Sequence, residues 1–461
     1  MKKRYVVVLA AGQGTRMKSK LYKVMHPVMG RPMVGHVVNA ALDAEVDQVI
    51  TITGFGSEVV KDYLGNKSEY VYQDEQLGTA HAVSQAEDLL ADKNGTTLVL
   101  SGDTPLVQGE TIKALMDYHE NEEAKATVLT AFAEDPFDYG RVIRTEEGSV
   151  HKIVEEKDAT EAEKAIQEIN TGTYCFDNET LFKMLEEVDN DNAQGEYYLP
   201  DVIELLKDQA EKVSAYQLDN MDEALGVNDR VALAEATELM RERINKEHMV
   251  NGVTLIDPTN TYIEADVKIG SDTVIEPGTY LKGNTTIGED VFVRMNTTII
   301  DSEINDEVEI TQSIIERSKL SKGVDVGPHS HIRPDSILEE NVHIGNFVET
   351  KNARIGANTK VGHHTYIGDA EVGENVNVGC GVVFANFDGQ KKSKTIVGDR
   401  AFLGSNATLV APVNLGAKTI IAAGSTITDD VNEDALGIAR ARQTNKDGFY
   451  TNYFGDEDIQ F

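Results

Sequence analysis

From residue 1 to about 228 the chain alternates short, continuously apolar runs with longer stretches of mixed polarity. The runs YVVVLA, VDQVITITG, TTLVLSGD and KATVLTAFA are rich in β-branched residues and read as buried strands, whereas stretches such as 79–91 and 110–121 carry helical spacing. Strands alternating with helices predict an α/β domain built on a mostly parallel sheet. Over 229–250 the beat becomes helical: Val231, Leu233, Leu239, Met240 and Ile244 are the apolar positions, Asn228 or Asp229 can cap the start, and Asn251-Gly252 closes the end. This predicts a linker helix between a first domain, 1–228, and a second, 251–461.

After residue 252 an aliphatic residue recurs every six positions. The beat runs through Ile269, Ile275, Leu281, Ile287, Val293 and Ile299, then Leu320, Val326, Ile332, Leu338 and Ile344. It resumes at Ile355, Val361 and Ile367, at Val372, Val378 and Phe384, and at Leu415, Ile421 and Ile427. A period of six predicts a parallel β-helix in which each hexapeptide forms one flat side and three sides make a coil, with the aliphatic residues stacked inside. Glycine often follows the aliphatic residue, which suits a tight corner. ANFDGQKKSK (385–394) breaks the beat and reads as a protruding loop.

Composition narrows the setting. The 461 residues exceed what one core usually serves, so two or more domains are expected. No apolar run reaches the roughly 18 residues of a membrane span, MKKRYVVVLAAGQGTRMK does not read as a signal peptide, and Cys175 and Cys380 stand far apart, all of which predict a cytoplasmic protein without a disulfide framework. A net charge of −35 argues against nucleic acid or an anionic membrane as a partner. Residues 1–42 nevertheless hold eight Lys or Arg and no acid, in a chain whose acids outnumber its bases 78 to 43, so an anion is expected to bind there.

YVVVLAAGQGTRM is a strand running into a glycine-rich turn, where backbone N–H groups can approach phosphates. A dinucleotide fingerprint would need a third glycine where Met17 stands and an acid about 20 residues on, within the acid-free stretch, so an NAD site is not expected. The stretch LAAGQGTRM followed by Lys23 resembles the signature of sugar-nucleotide pyrophosphorylases. With QLGTAHAV, SGDTPL, GRVIR, IVEEKDA, EINTGTY, NAQGEYYLPD and GVNDR, and the hexapeptide domain beyond, the whole chain resembles the bacterial bifunctional N-acetylglucosamine-1-phosphate uridyltransferase/glucosamine-1-phosphate N-acetyltransferase family.

That resemblance implies a Rossmann-like nucleotidyltransferase domain, a linker helix and a left-handed β-helix. It implies that Arg16 and Lys23 act catalytically on the nucleotide phosphates. UTP and the sugar nucleotide would be held by Leu9, Ala10, Ala11, Gly12, Lys23, Gln73, Gly78, Thr79, Gly140, Glu155, Asn170 and Asn228, and Mg²⁺ by Asp103 and Asn228. In the transfer a sugar 1-phosphate oxygen, already an anion, attacks the α-phosphorus of UTP and pyrophosphate leaves, so positioning and charge neutralisation carry the rate. Without the resemblance, Asp103 and Asn228 would read equally as a turn residue and a helix cap.

Residues between the aliphatic positions of a β-helix face outward, so His363 and its polar neighbours are not needed by the core. The resemblance assigns His363 as proton acceptor for acetyl transfer from acetyl-CoA to glucosamine 1-phosphate; His titrates in the range such a base needs. It places Arg333, Lys351, Tyr366, Asn377 and Asn386 on the sugar phosphate, and Ser405, Ala423, Arg440 and Lys446 on acetyl-CoA. Cys380 and Phe387 stand beside this site where relatives carry other residues, and His364 reads as incidental. His329 and His331 form an H-x-H pair, but no further ligand lies at recognisable spacing for zinc. The family reading also implies a homotrimer. The competing readings are a single-activity pyrophosphorylase whose β-helix serves only oligomerisation, and a non-catalytic sensor of sugar nucleotides.

Overall fold

The computed structural model describes residues 2–136, 139–146 and 148–455. The chain forms two compact units, 1–244 and 245–461. The first is organised by a nine-stranded sheet. Its strands are β1 (Arg4–Ala10), β2 (Gln48–Thr53), β3 (Glu69–Tyr72), β4 (Thr96–Ser101), β5 (Ala126–Phe132), β6 (Gly140–Arg144), β7 (Val150–Val154), β8 (Glu168–Asp177) and β9 (Val213–Gln217). Their order is β9-β5-β8-β4-β1-β2-β3, with β6 pairing β8 and β7. Strands β4, β1, β2 and β3 are mutually parallel, as are β5 and β9, whereas β8 runs antiparallel to its neighbours. All four sequence runs read as strands form β1, β2, β4 and β5.

The sheet is buried on both faces, which explains why its strands read as unbroken apolar runs. In β1, Tyr5 and Val7 belong to one core layer and Val6, Val8 and Ala10 to the other. Helices Thr79–Ser84 and Asn178–Leu185 contribute to the first layer, and Met33–Asp43 and Gly109–Asn121 to the second.

The predicted linker helix spans Arg230–Val250 and is capped by Asp229, whose Oδ1 accepts the N–H groups of Val231 and Ala232. Of the five apolar positions, Met240 and Ile244 are buried and Leu233 and Leu239 half-buried. Val231 is 78% exposed, while Ala236, Met240 and Ile244 form the buried stripe. Five residues separate Val231 from Ala236, a rotation that leaves it about 140° away from that stripe.

The second unit is a parallel β-helix of short strands, each pairing with its equivalent one coil on. The registers superpose the aliphatic positions: Ile275 on Val293, Leu281 on Ile299, Ile344 on Val361, and Ile367 beneath the Phe384 coil. These side chains are fully buried, apart from a trace of exposure at Val293. Ile269, in the first coil, is only half-buried. Two longer strands, β10 (His343–Ile355) and β11 (Lys360–Val372), wrap around the prism in register. The off-beat stretch 385–394 leaves the coil as a loop closed by a bridge between Phe387 and Lys392.

Candidate functional sites

In the first unit, β1 delivers the chain to the Ala11–Gly14 turn and β4 delivers it to Asp103. Gly14 has φ +63°, and a Cβ there would meet Lys23 Cβ at 2.4 Å, so only glycine lets the turn close on Lys23. The Lys23 ammonium forms an ion pair with Asp103 and donates to Asn228 Oδ1 at 2.6 Å. Val227 N–H donates to the Asp103 carbonyl at 2.9 Å, tying the Asn228 segment to the end of β4. A carboxylate and a carboxamide oxygen therefore already share one cation. Hard oxygen donors of this kind suit a divalent ion that keeps several waters, so the residues present fit such a metal.

Beside this triad lies a cavity of about 270 Å³, lined by Leu9, Ala11, Gly12, Lys23, Gln73, Gly78, Thr79 and Asp103. Gln73 is buried, with Nε2 3.0 Å from His81 Nδ1, and Thr79 Oγ1 accepts the Leu199 N–H at 2.9 Å. Gly78, at φ +118°, lies so near the Tyr197 backbone that an added Cβ would meet its carbonyl oxygen at 2.4 Å. Ala10, the last residue of β1, turns its side chain into the second core layer. Arg16 is exposed, outside this lining, and its charge helps to hold the Asp229 carboxyl low after the Ala232 and Val231 N–H groups. The cavity also contains Gln76 and Glu196, which the sequence reading did not single out although Glu196 stands in the NAQGEYYLPD motif.

The acid-free segment divides its charges between two tasks. Lys3 pairs with Asp47, and Arg4 with Asp117 and Glu120, at the opposite end of β1. The bases of the 16–23 loop stand at the other end of β1, beside the glycine turn.

Gly140 pairs with Asn170 across β6 and β8, and a Cβ on Gly140 would lie 3.1 Å from Glu155 Oε1 and 3.4 Å from Asn170 Cβ. These three residues thus share one pocket wall. Burial, then the charge of Asp158, raises the Glu155 carboxyl above its usual range. A larger cavity, about 380 Å³, also reaches Glu155 but is lined by Asp158, Asp189, Asp191, Asp201 and Glu204. Burial, then Asp189, pushes Asp201 up to about 6. So acidic a wall repels a triphosphate, and the smaller cavity beside Lys23 is the one suited to it.

In the β-helix, His363 is exposed and pairs in register with Asn346. Cys380, Ser405 and Ala423 follow it up the same edge of the prism: Gly379 abuts the Ser405 backbone, Gly404 abuts that of Ala423, and Arg440 Nη1 donates to the Ala423 carbonyl at 2.8 Å. Lys446 is exposed in the segment beyond the last coil. At the far edge of the same face, Arg333 donates to Glu349 at 2.5 Å, and Asn386 donates to Tyr366 Oη at 3.4 Å. Lys351 is held below the usual lysine range by Lys392 and then by Arg333, so three cations crowd this edge. Lys392, from the off-beat loop, is a third residue the sequence reading missed; only the KK pair in that loop hinted at it. Asn377 stands apart from this group, on the face shared with Lys360 and Phe402, and Phe387 is 59% exposed on the loop.

The H-x-H pair holds no metal-type cluster. His331 is 2.8 Å from Glu316, His343 pairs with Asp325, His329 stacks on Phe347, and among the described residues no group of three His, Cys, Asp or Glu could hold an ion.

The nucleotidyl transferase family model matches residues 5–240, and the GlmU-like C-terminal hexapeptide model matches 291–378. The bacterial transferase hexapeptide model matches 258–301, and the model of the hexapeptide repeat of succinyl-transferase matches 394–429. The bifunctional protein GlmU of Listeria innocua serovar 6a is 60% identical over 449 residues, covering 97% of this chain and 98% of that one. The chain belongs to the GlmU family. The GlmU of Latilactobacillus sakei subsp. sakei is 58% identical over 450 residues, covering 98% of this chain and 97% of that one. As a GlmU-family member the chain is a bifunctional transferase, with a nucleotidyltransferase domain followed by an acetyltransferase domain of hexapeptide repeats folded as a left-handed β-helix. The nucleotidyltransferase site works with a divalent metal. No helix among the described residues is long and apolar enough to cross a membrane.

Proposed function

We propose that the chain transfers acetyl from acetyl-CoA to glucosamine 1-phosphate, then a uridylyl group from UTP to the resulting N-acetylglucosamine 1-phosphate. The observation that carries the second reaction is the Lys23 ammonium joined to both Asp103 and Asn228 beside the glycine turn. The sugar phosphate oxygen forms its bond to the α-phosphorus as the bond to pyrophosphate breaks. Lys23 and Arg16 neutralise the phosphates, the Gly12–Gly14 backbone approaches them, and Gln73, Gly78 and Thr79 take the uracil. Gly140, Glu155 and Asn170 hold the amino sugar. Asp103 and Asn228 hold Mg²⁺, which supplies further neutralisation of the phosphate charge.

For acetyl transfer, His363 accepts the proton of the attacking amine as the C–N bond forms and the C–S bond breaks. Arg333, Lys351 and Lys392 bind the phosphate, with Tyr366, Asn386 and Asn377 on the sugar. Cys380, Ser405, Ala423, Arg440 and Lys446 follow the acetyl-CoA chain, and Phe387 borders it.

A homotrimer is part of this reading. Within one chain, His363 and the Lys351 cluster stand at opposite edges of one face: five residues separate the registers of Asn346 and Lys351, on the order of 15 Å of extended chain. One hexose phosphate does not span that distance, which supports a site completed by a neighbouring copy. Such an enzyme works in the cytoplasm, where UTP and acetyl-CoA are made.

The test is His363→Ala in the full chain, assayed for thiol release from acetyl-CoA with glucosamine 1-phosphate and for pyrophosphate release from UTP with N-acetylglucosamine 1-phosphate and Mg²⁺. The expected result is loss of the first with the second intact. If wild type releases only pyrophosphate, the β-helix is an oligomerisation module and the acetyltransferase reading is wrong.

A further inference from the structure

Strand β8 does not run smoothly past the sugar wall. Its register against β5 shifts between Asn170 and Tyr174, and Gly172, at φ +78°, sits inside the irregularity. Four residues of regular strand would separate these two side chains by about 13 Å along the sheet. The bulge draws them together instead, and Asn170 Nδ2 donates to Tyr174 Oη at 2.6 Å. The Tyr174 ring lies in the first core layer, stacked on Phe176 with centroids 5.8 Å apart, so the hydroxyl has a fixed position at the edge of that core.

The Asn170 amide has four hydrogen-bonding positions, two N–H and two lone pairs. Gly172 N–H donates to Oδ1 at 3.1 Å, and Tyr174 Oη accepts from Nδ2. Two positions are thereby used inside the protein, and the amide is held one way round with one N–H and one lone pair left for a ligand. Asn170 is 7% exposed and Tyr174 2%, so without the phenol oxygen the inner N–H would be buried with no acceptor, and turning away would be the cheaper arrangement. Burial, followed by the neighbouring Glu155 charge, raises the phenol well above its ordinary range, which keeps the hydroxyl neutral.

We propose that Tyr174 is a positioning residue for sugar recognition: its buried hydroxyl, brought beside Asn170 by the β8 bulge, fixes the amide that receives the N-acetylated sugar phosphate. This deepens the function proposed above and rests on Asn170 lying at the sugar. Tyr174 itself touches no substrate. It acts through Asn170, and the nucleotide half of the site, held by Gln73, Gly78 and Thr79, is independent of it.

Tyr174→Phe in the full chain tests this, because it removes one oxygen and keeps the ring and its stacking. The expected result is a KM for N-acetylglucosamine 1-phosphate raised about tenfold, with KM for UTP within about twofold of wild type and the thermal midpoint of the chain retained. On an Asn170→Ala background, Tyr174→Phe should add less than about a further twofold, because the effect passes through the amide. An unchanged KM for the sugar phosphate, effects that multiply in the double variant, or a parallel rise in both KM values with a lower thermal midpoint would each overturn the proposal, the last showing that the hydroxyl serves stability alone. Wild type that rejects N-acetylglucosamine 1-phosphate but turns over another sugar phosphate would instead overturn the substrate assignment.

Discussion

Gly368 offers a direct probe of the acetyltransferase site. It pairs with Lys351 in the register of β10 and β11, and its φ is not in the left-handed region, so alanine is acceptable to the backbone there. The side chain is what the site forbids. An added Cβ would stand 2.3 Å from Tyr366 Oη and 2.7 Å from Asn386 Nδ2, against an ordinary separation of about 3.5 Å. Both groups must withdraw by roughly 1 Å, and the hydrogen bond between them goes with the movement. Misplacing a substrate-binding constellation by about 1 Å costs on the order of 10²-fold in rate, or about 2.7 kcal/mol. In Gly368→Ala, kcat/KM for thiol release with glucosamine 1-phosphate should therefore fall about 10²-fold. Pyrophosphate release, made in the other domain of the same molecule, should not change and serves as the internal control. Wild-type acetyl transfer in this variant would refute the assignment of Tyr366 and Asn386 to the sugar phosphate. A loss shared by both activities would point to the fold instead.

Two further outcomes follow from the charges and the fold. Chelation of divalent ions with EDTA should stop pyrophosphate release while leaving thiol release from acetyl-CoA intact, because the Lys23, Asp103 and Asn228 group, whose oxygen donors suit a metal, lies in the nucleotidyltransferase domain; loss of both activities would contradict this division. His119, beside Thr127 at 2.9 Å, is pushed down to about 4 by burial and then by Lys2. Its folded value lies below the unfolded one of about 6.5, so its contribution to stability is complete above that pH and is lost as the pH falls to about 4. The urea midpoint of the full chain, followed by circular dichroism, should fall over this window, and fall less in His119→Asn; equal slopes would show that His119 is not responsible.

Local chemistry made much of the molecule legible. Period six cannot be satisfied by a helix or by an ordinary strand, so the β-helix followed from Ile275, Leu281 and their successors alone, with Ile269 in the first coil the half-buried member. Val231 was misread because helical spacing gives the angle between residues but not which face the rest of the fold covers. Ala10 ends β1 and Arg16 lies on the expected loop, yet a side chain's direction depends on which core layer or neighbour claims it. Lys392 and Glu196 carry no local signature, since a lysine in an exposed loop and a glutamate in a polar motif look like ordinary surface.

What the sequence by itself determined was therefore the set of elements and the chemical types they carry: a parallel sheet with glycine turns at its strand ends, a capped helix, and a prism of six-residue sides. These depend on periods and on single-residue conformations, which neighbouring residues encode. Tertiary structure alone decided which residues meet. Lys23 finds Asn228 across 205 positions, the bulge in β8 brings Tyr174 to Asn170, and the coil registers separate His363 from Lys351. Those distances are set by pairing registers and by the closing of the whole core, and no window of the chain contains both partners' surroundings.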